Sequence, residues 1–126
     1  MKNINYTSGK GKCFESTSEY TLRYCRETED YRGDFEVCHG YVTGTGGKVV
    51  GVTYPHAWIE RTYKYNDRPL VLCYDETHNL GPLPAELYYK AGDIDPETVI
   101  RYELDQVVEL CLKHGHYGPW HIGGEQ

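Results

Sequence analysis

The sequence predicts an α+β fold in one domain: an antiparallel sheet with one helix ahead of it and another behind. Three observations lead there. In "LDQVVELCLKHG" the residues Leu104, Val107, Val108, Cys111 and Leu112 recur at helical spacing, and Gly115 supplies the stop. Between Phe35 and Thr77 the chain reads as short segments of apolar and β-branched residues with period-2 alternation, separated by turn signals. A length of 126 residues leaves room for a single core.

Taken in order, residues 1–10 are polar and expected to be flexible, as are residues 122–126. "CFESTSEYTLRYC" reads as a helix starting near Cys13, with Phe14, Thr21, Leu22 and Cys25 on one face, although Thr17, Ser18 and Thr21 are weak helix formers. "YRGD" is a turn into the strand "FEVCHGYVTG". The glycines of "TGTGGKVVG" match neither G-x-G-x-x-G nor G-x-x-x-x-G-K-[ST], so they read as a hairpin connection rather than a phosphate loop. "VTYPHAWIERTYKY" and "PLVLCYDET" are strands joined by the turn "NDRP", which makes an antiparallel meander. "NLGPLP" reads as a connection, and "AELYYKAGDI" fits either a strand or a short helix.

Composition excludes several functions. A formal charge of -6 with no basic run argues against a nucleic-acid phosphate backbone as partner. No stretch approaches the roughly 20 apolar residues of a membrane helix, so no membrane partner is expected. Five cysteines are an odd number, and no charged-then-apolar leader precedes them, so reduced thiols and a cytoplasmic location are expected. C-x-x-C and H-x-x-x-H pairs are absent, and His114 with His116 lacks the spacing of a zinc finger; neither metal nor cofactor is expected. Thirteen tyrosines against two phenylalanines predict a core with many hydroxyls in need of partners.

One ordered set of residues carries chemistry. Cys13 stands at an expected helix start, where free backbone N–H groups and the helix dipole favour a thiolate. His56 lies on a strand and Asp75 at the end of the next one, which suits a nucleophile, a base and a group that orients the base. Cys25, Cys38, Cys73 and Cys111 read as packing residues, and Cys38 and His39, adjacent on a strand, should face opposite ways. Glu60 shares the strand face of His56 and fits either an exposed rim or the site itself. A packed core role for His56 is the plainer alternative.

"GKC" opening a helix, then "CHGYVTG", "HAWIE" and "LVLCYDETHN", resembles the transglutaminase-like branch of the papain-like cysteine enzymes over roughly residues 11–79. The resemblance implies a papain-like core in which the catalytic helix packs on the antiparallel sheet. It also implies catalysis by Cys13, His56 and Asp75 through a thioester, on an amide or related carbonyl of a protein, peptide or small molecule. Tyr54, Trp58 and Trp120 are the candidate substrate contacts. The oxyanion would be met by the backbone N–H of Cys13, with Asn5 or Trp58 as other donors. The alternative from another class is a non-catalytic binding protein that holds a peptide or small ligand in a cleft ringed by Tyr54, Tyr63, Tyr74, Trp58 and Trp120.

Overall fold

The computed structural model describes residues 13–23, 35–44, 50–75 and 80–121. The expected flexible ends, the turn "YRGD", Asn5 and Cys25 lie outside the described residues. Within them the architecture is α+β. Helix α1 occupies residues 13–23, followed by β1 (Phe35–Thr43), β2 (Thr53–Tyr65), β3 (Arg68–Asp75), β4 (Leu80–Pro84), α2 (Ala85–Ala91), a short 3-10 turn (Pro96–Thr98), β5 (Ile100–Glu103) and α3 (Leu104–His114). The strands form one antiparallel sheet in the order β4-β3-β2-β1-β5, a four-strand meander with β5 returning beside β1.

Turn chemistry explains the meander. Asn66 and Asp67 between β2 and β3 both take left-handed φ, 53° and 63°, as a two-residue hairpin requires and as Asn and Asp tolerate best after Gly. At the described ends of the β1–β2 connection, the Gly51 N–H bonds to the Gly44 carbonyl at 2.9 Å. "GPLP" is a strand rather than the connection expected from its prolines. It can be one because β4 is the edge of the sheet, where a residue without an N–H breaks no interior ladder. The ambiguous segment after it is helical from Ala85 to Ala91.

The two faces of the sheet are covered differently. On one, Phe35, Val37, His39, Ala57, Ile59 and Tyr102 meet α1, α3 and the C-terminal segment. On the other, Cys38, Val42, Tyr54, Trp58 and Cys73 meet Tyr88 of α2, Ile94 and Val99. Cys38 and His39 therefore face opposite ways.

Two helix faces depart from the expected stripes. In α1 the buried set is Cys13, Phe14, Thr17, Ser18 and Thr21, while Leu22 is half-buried. Small hydroxyl residues suit this contact: Thr21 Oγ1 donates to the Thr17 carbonyl at 2.8 Å, and Thr17 Oγ1 reaches the Ala57 carbonyl at 3.4 Å. In α3, Leu104 and Val107 are buried and Leu110 and Cys111 partly so, whereas Val108 and Leu112 are 40% and 80% exposed. The helix follows β5 without a loop, so the sheet sets its rotation and turns Val108 and Leu112 toward an open groove shared with Leu22. A capping box of Glu103 and Gln106 and a left-handed Gly115 end the helix as its sequence suggests.

Gly40 lies opposite His56 in the β1–β2 register. A Cβ there would stand 2.9 Å from the Trp58 ring, which is fully buried and has no room to withdraw. Gly40→Ala is therefore expected to destabilise the fold by about 1–3 kcal/mol, as overpacking does, measurable by denaturant unfolding.

His39 is fully buried, and neither ring nitrogen has a hydrogen-bond partner among the described residues. It sits among Phe14, Tyr102 and Trp120 at centroid distances of 4.7, 4.9 and 5.2 Å. Gly118 of the C-terminal segment closes the cage, where a Cβ would come within 2.8 Å of the imidazole. Burial first, and the neighbouring His121 and His56 second, push His39 down to about 3 from an ordinary 6.5. The unfolded chain thus takes up a proton that the folded one refuses. The stabilisation is complete above about pH 6.5 and is lost as pH falls toward 3, reaching about 2 kcal/mol by pH 5. Thermal unfolding from pH 7 to 5 should show a shallower loss of Tm in His39→Leu than in the unaltered protein.

Candidate active site

His56 is carried by β2, and alternation puts it on the same face as Trp58 and Glu60. Asp75 is the last residue of β3, just past the final β2–β3 pair, Ile59↔Tyr74, and past an irregularity between Cys73 and Asp75. Its Oδ2 lies 2.9 Å from His56 Nε2, with both side chains almost wholly buried. The same oxygen accepts from the Tyr88 hydroxyl at 2.7 Å. A carboxylate out of water needs such donors.

Cys13 is brought to the neighbouring residue of the strand. It begins α1, is fully buried, and packs with Phe14 on Ala57. The backbone of Ala57 is claimed twice by α1: its carbonyl by Thr17 Oγ1, and its N–H by the Cys13 sulfur. These are groups that β3 would have paired had it continued alongside β2. Helix and strand are thus joined where the sheet opens.

The electrostatics of the thiol are a contest that burial wins. Loss of solvent pushes Cys13 up to about 12 and the charge of Asp75 adds to the rise, while N–H groups of Ala57, Phe14 and Cys13 itself pull downward. The helix start therefore acts in the expected direction without producing a resting thiolate. Cys38 and Cys73 are also raised by burial, and both belong to the core against α2.

A second buried carboxylate completes this side of the sheet. Glu60 accepts from Trp58 Nε1 at 3.1 Å, from Arg101 Nε at 3.2 Å and from the Tyr89 hydroxyl, and Arg101 in turn reaches Tyr89 at 2.7 Å. Glu60 is thus a buried member of the site's support rather than an exposed rim. Trp58, anchored by it, stacks on His56 at 26° with centroids 6.2 Å apart and also touches Tyr88 at 5.4 Å.

The expected substrate contacts are placed differently. Trp58 is fully buried and spends its N–H on Glu60, so it offers neither a substrate wall nor an oxyanion donor. Tyr54 is buried in the core, and Trp120 lies on the opposite face against His39 and Tyr102. Tyr63 and Tyr74 bond to each other at 2.8 Å on that opposite face as well. The five rings do not surround one cleft, because strand alternation divides them between the two sides. Tyr88, Thr17 and Arg101 are the site residues the sequence reading did not single out. Only the excess of tyrosines over phenylalanines pointed toward such hydroxyl contacts.

No protein-family model, curated protein or solved structure matches the chain. Among the described residues, no three His, Cys, Asp or Glu side chains are grouped to hold a metal ion. No helix of those residues is long and apolar enough to cross a membrane.

Because burial holds the proton on the Cys13 thiol, the free protein should show no thiolate from this residue at neutral pH. Ultraviolet difference spectra between the protein and Cys13→Ser should stay flat in the thiolate band from pH 6 to 9. A rise centred in that range would contradict the electrostatic reading.

Proposed function

We propose that this chain is a cysteine-nucleophile enzyme of the transglutaminase-like, papain-like type, acting on an amide or related carbonyl. The observation that carries the reading is the buried His56–Asp75 pair at 2.9 Å, set one residue from the Ala57 backbone that receives Cys13. An imidazole held by a carboxylate, next along the strand to the residue on which a thiol at a helix start packs, supports a reading as nucleophilic acyl transfer.

In this proposal Cys13 Sγ attacks the carbonyl carbon as His56 takes the thiol proton. The carbonyl electron pair moves onto oxygen, then returns and expels the leaving amine, which collects the proton from His56. A thioester remains on Cys13. Water or a second amine attacks it with His56 again accepting a proton, and the sulfur leaves to regain that proton. With water the product is an acid and with an amine a new amide. Asp75 fixes the ring through Nε2, which assigns the proton exchange to Nδ1. The raised thiol pKa makes His56 a general base during attack rather than half of a standing ion pair. The substrate is a protein, a peptide or a small-molecule amide.

Iodoacetamide labelling followed by mass spectrometry tests the assignment. Access alone favours Cys111, which is half-buried, over Cys13, which is fully buried. His56→Ala should slow labelling of Cys13 and leave Cys111 unchanged, while abolishing turnover of any amide substrate found. Asp75→Asn should cost less than His56→Ala, a factor on the order of 10 to 10⁴ in turnover. If folded His56→Ala labels Cys13 at the unaltered rate, His56 is a packed core residue and the catalytic assignment fails.

A further inference from the structure

Tyr88 contributes a hydroxyl to the centre of this site from an element that carries none of the three proposed catalytic groups. It is 7% exposed, lies on α2 directly after the edge strand, and donates at 2.7 Å to Asp75 Oδ2, the oxygen that also meets His56 Nε2. Its ring packs on Trp58 at 5.4 Å, and Trp58 stacks on His56. The two donors to one carboxylate oxygen are thus backed by the same indole, which Glu60 holds through its N–H.

We propose that Tyr88 is a positioning residue, acting through Asp75 to set how much negative charge the carboxylate presents to His56 and Cys13. The inference rests on the catalytic reading above. Its physical basis is that an O–H donated to a buried carboxylate spreads the charge and holds the group in one orientation. Asp75 raises the Cys13 thiol, so the hydroxyl that tempers Asp75 favours proton release from the sulfur. Without that hydroxyl, Asp75 presents more of its charge to the thiol while His56 remains bonded to it.

Tyr88→Phe removes the hydroxyl and keeps the ring against Trp58. The rate of Cys13 alkylation by iodoacetamide, measured from pH 6 to 10 with Cys111 in the same molecule as internal standard, is expected to fall about 3- to 10-fold at neutral pH, its rise displaced to higher pH. A purely structural tyrosine would shift Tm and leave this profile in place. The double variant with Asp75→Asn separates the routes: if Tyr88 acts through Asp75, removing its hydroxyl adds little once the carboxylate charge is gone. Full additivity, or a Tyr88→Phe profile identical to that of the unaltered protein, overturns the proposal. His56→Ala is the reference arm. Should it slow Cys13 while Tyr88→Phe does not, only Tyr88 loses its role; should neither slow it, the catalytic reading falls and takes this inference with it.

Discussion

The site depends on the point where β3 ceases to run beside β2. Pairing extends from Tyr65↔Arg68 to Ile59↔Tyr74, and beyond it the Ala57 backbone needs other partners. Helix α1 supplies them, with Thr17 at the carbonyl and the Cys13 sulfur at the N–H. The same divergence leaves Asp75 past the last β2–β3 pair, still paired with Leu80 of β4, and its side chain bonds to His56. One local failure of strand pairing therefore opens the sheet where α1 reaches Ala57, one residue along β2 from His56. A β3 extended by two pairs would satisfy Ala57 and displace the helix.

Burial of two carboxylates on the α2 side is tolerated because each accepts from several side-chain donors. Asp75 has His56 and Tyr88, while Glu60 has Trp58, Arg101 and Tyr89. Trp58 connects the two groups physically, with its N–H on one and its ring face against both donors of the other. Removing a donor would leave a buried charge short of a partner, a costlier change than losing an exposed ion pair. This gives two of the thirteen tyrosines a specific role: Tyr88 and Tyr89 combine core-filling rings with the hydroxyls that buried charges require.

Much of the fold was legible in the sequence because its signals are local. The meander follows from alternation interrupted by Gly51 and by Asn66 and Asp67, and α3 from its apolar spacing and Gly115. Strand β4 was not legible, since its tolerance of proline depends on its being an edge, a property of the assembled sheet. The outward turn of Leu112 was hidden for the same reason. In the site, strand order and alternation brought His56 and Asp75 together, and the spacing of "HAWIE" and "YDET" was enough to expect it. Tyr88 was not legible because its segment fits two secondary structures and only one carries the hydroxyl to Asp75. The placement of the aromatic rings was not legible because proximity in sequence hides the division of a strand between two faces: Trp58 and Ile59 are neighbours in the chain and belong to different cores.

The groups of the site share a nearly dry environment and meet different partners within it. Burial acts against charge on Asp75 and on Cys13 alike. The carboxylate is answered by a hydroxyl and an imidazole, while the sulfur is met by backbone N–H groups and by the charge of Asp75. For the sulfur, burial outweighs those N–H groups and keeps the proton in place. Under the proposed chemistry, moving the thiol proton to His56 in the free protein would create a buried thiolate and imidazolium together, with the thiolate near the charge of Asp75. The transfer becomes favourable only when the sulfur's electron pair is engaged by a carbonyl carbon, so loss of the proton and formation of the new bond are coupled. A substrate carbonyl would then complete the charge distribution that the folded chain prepares.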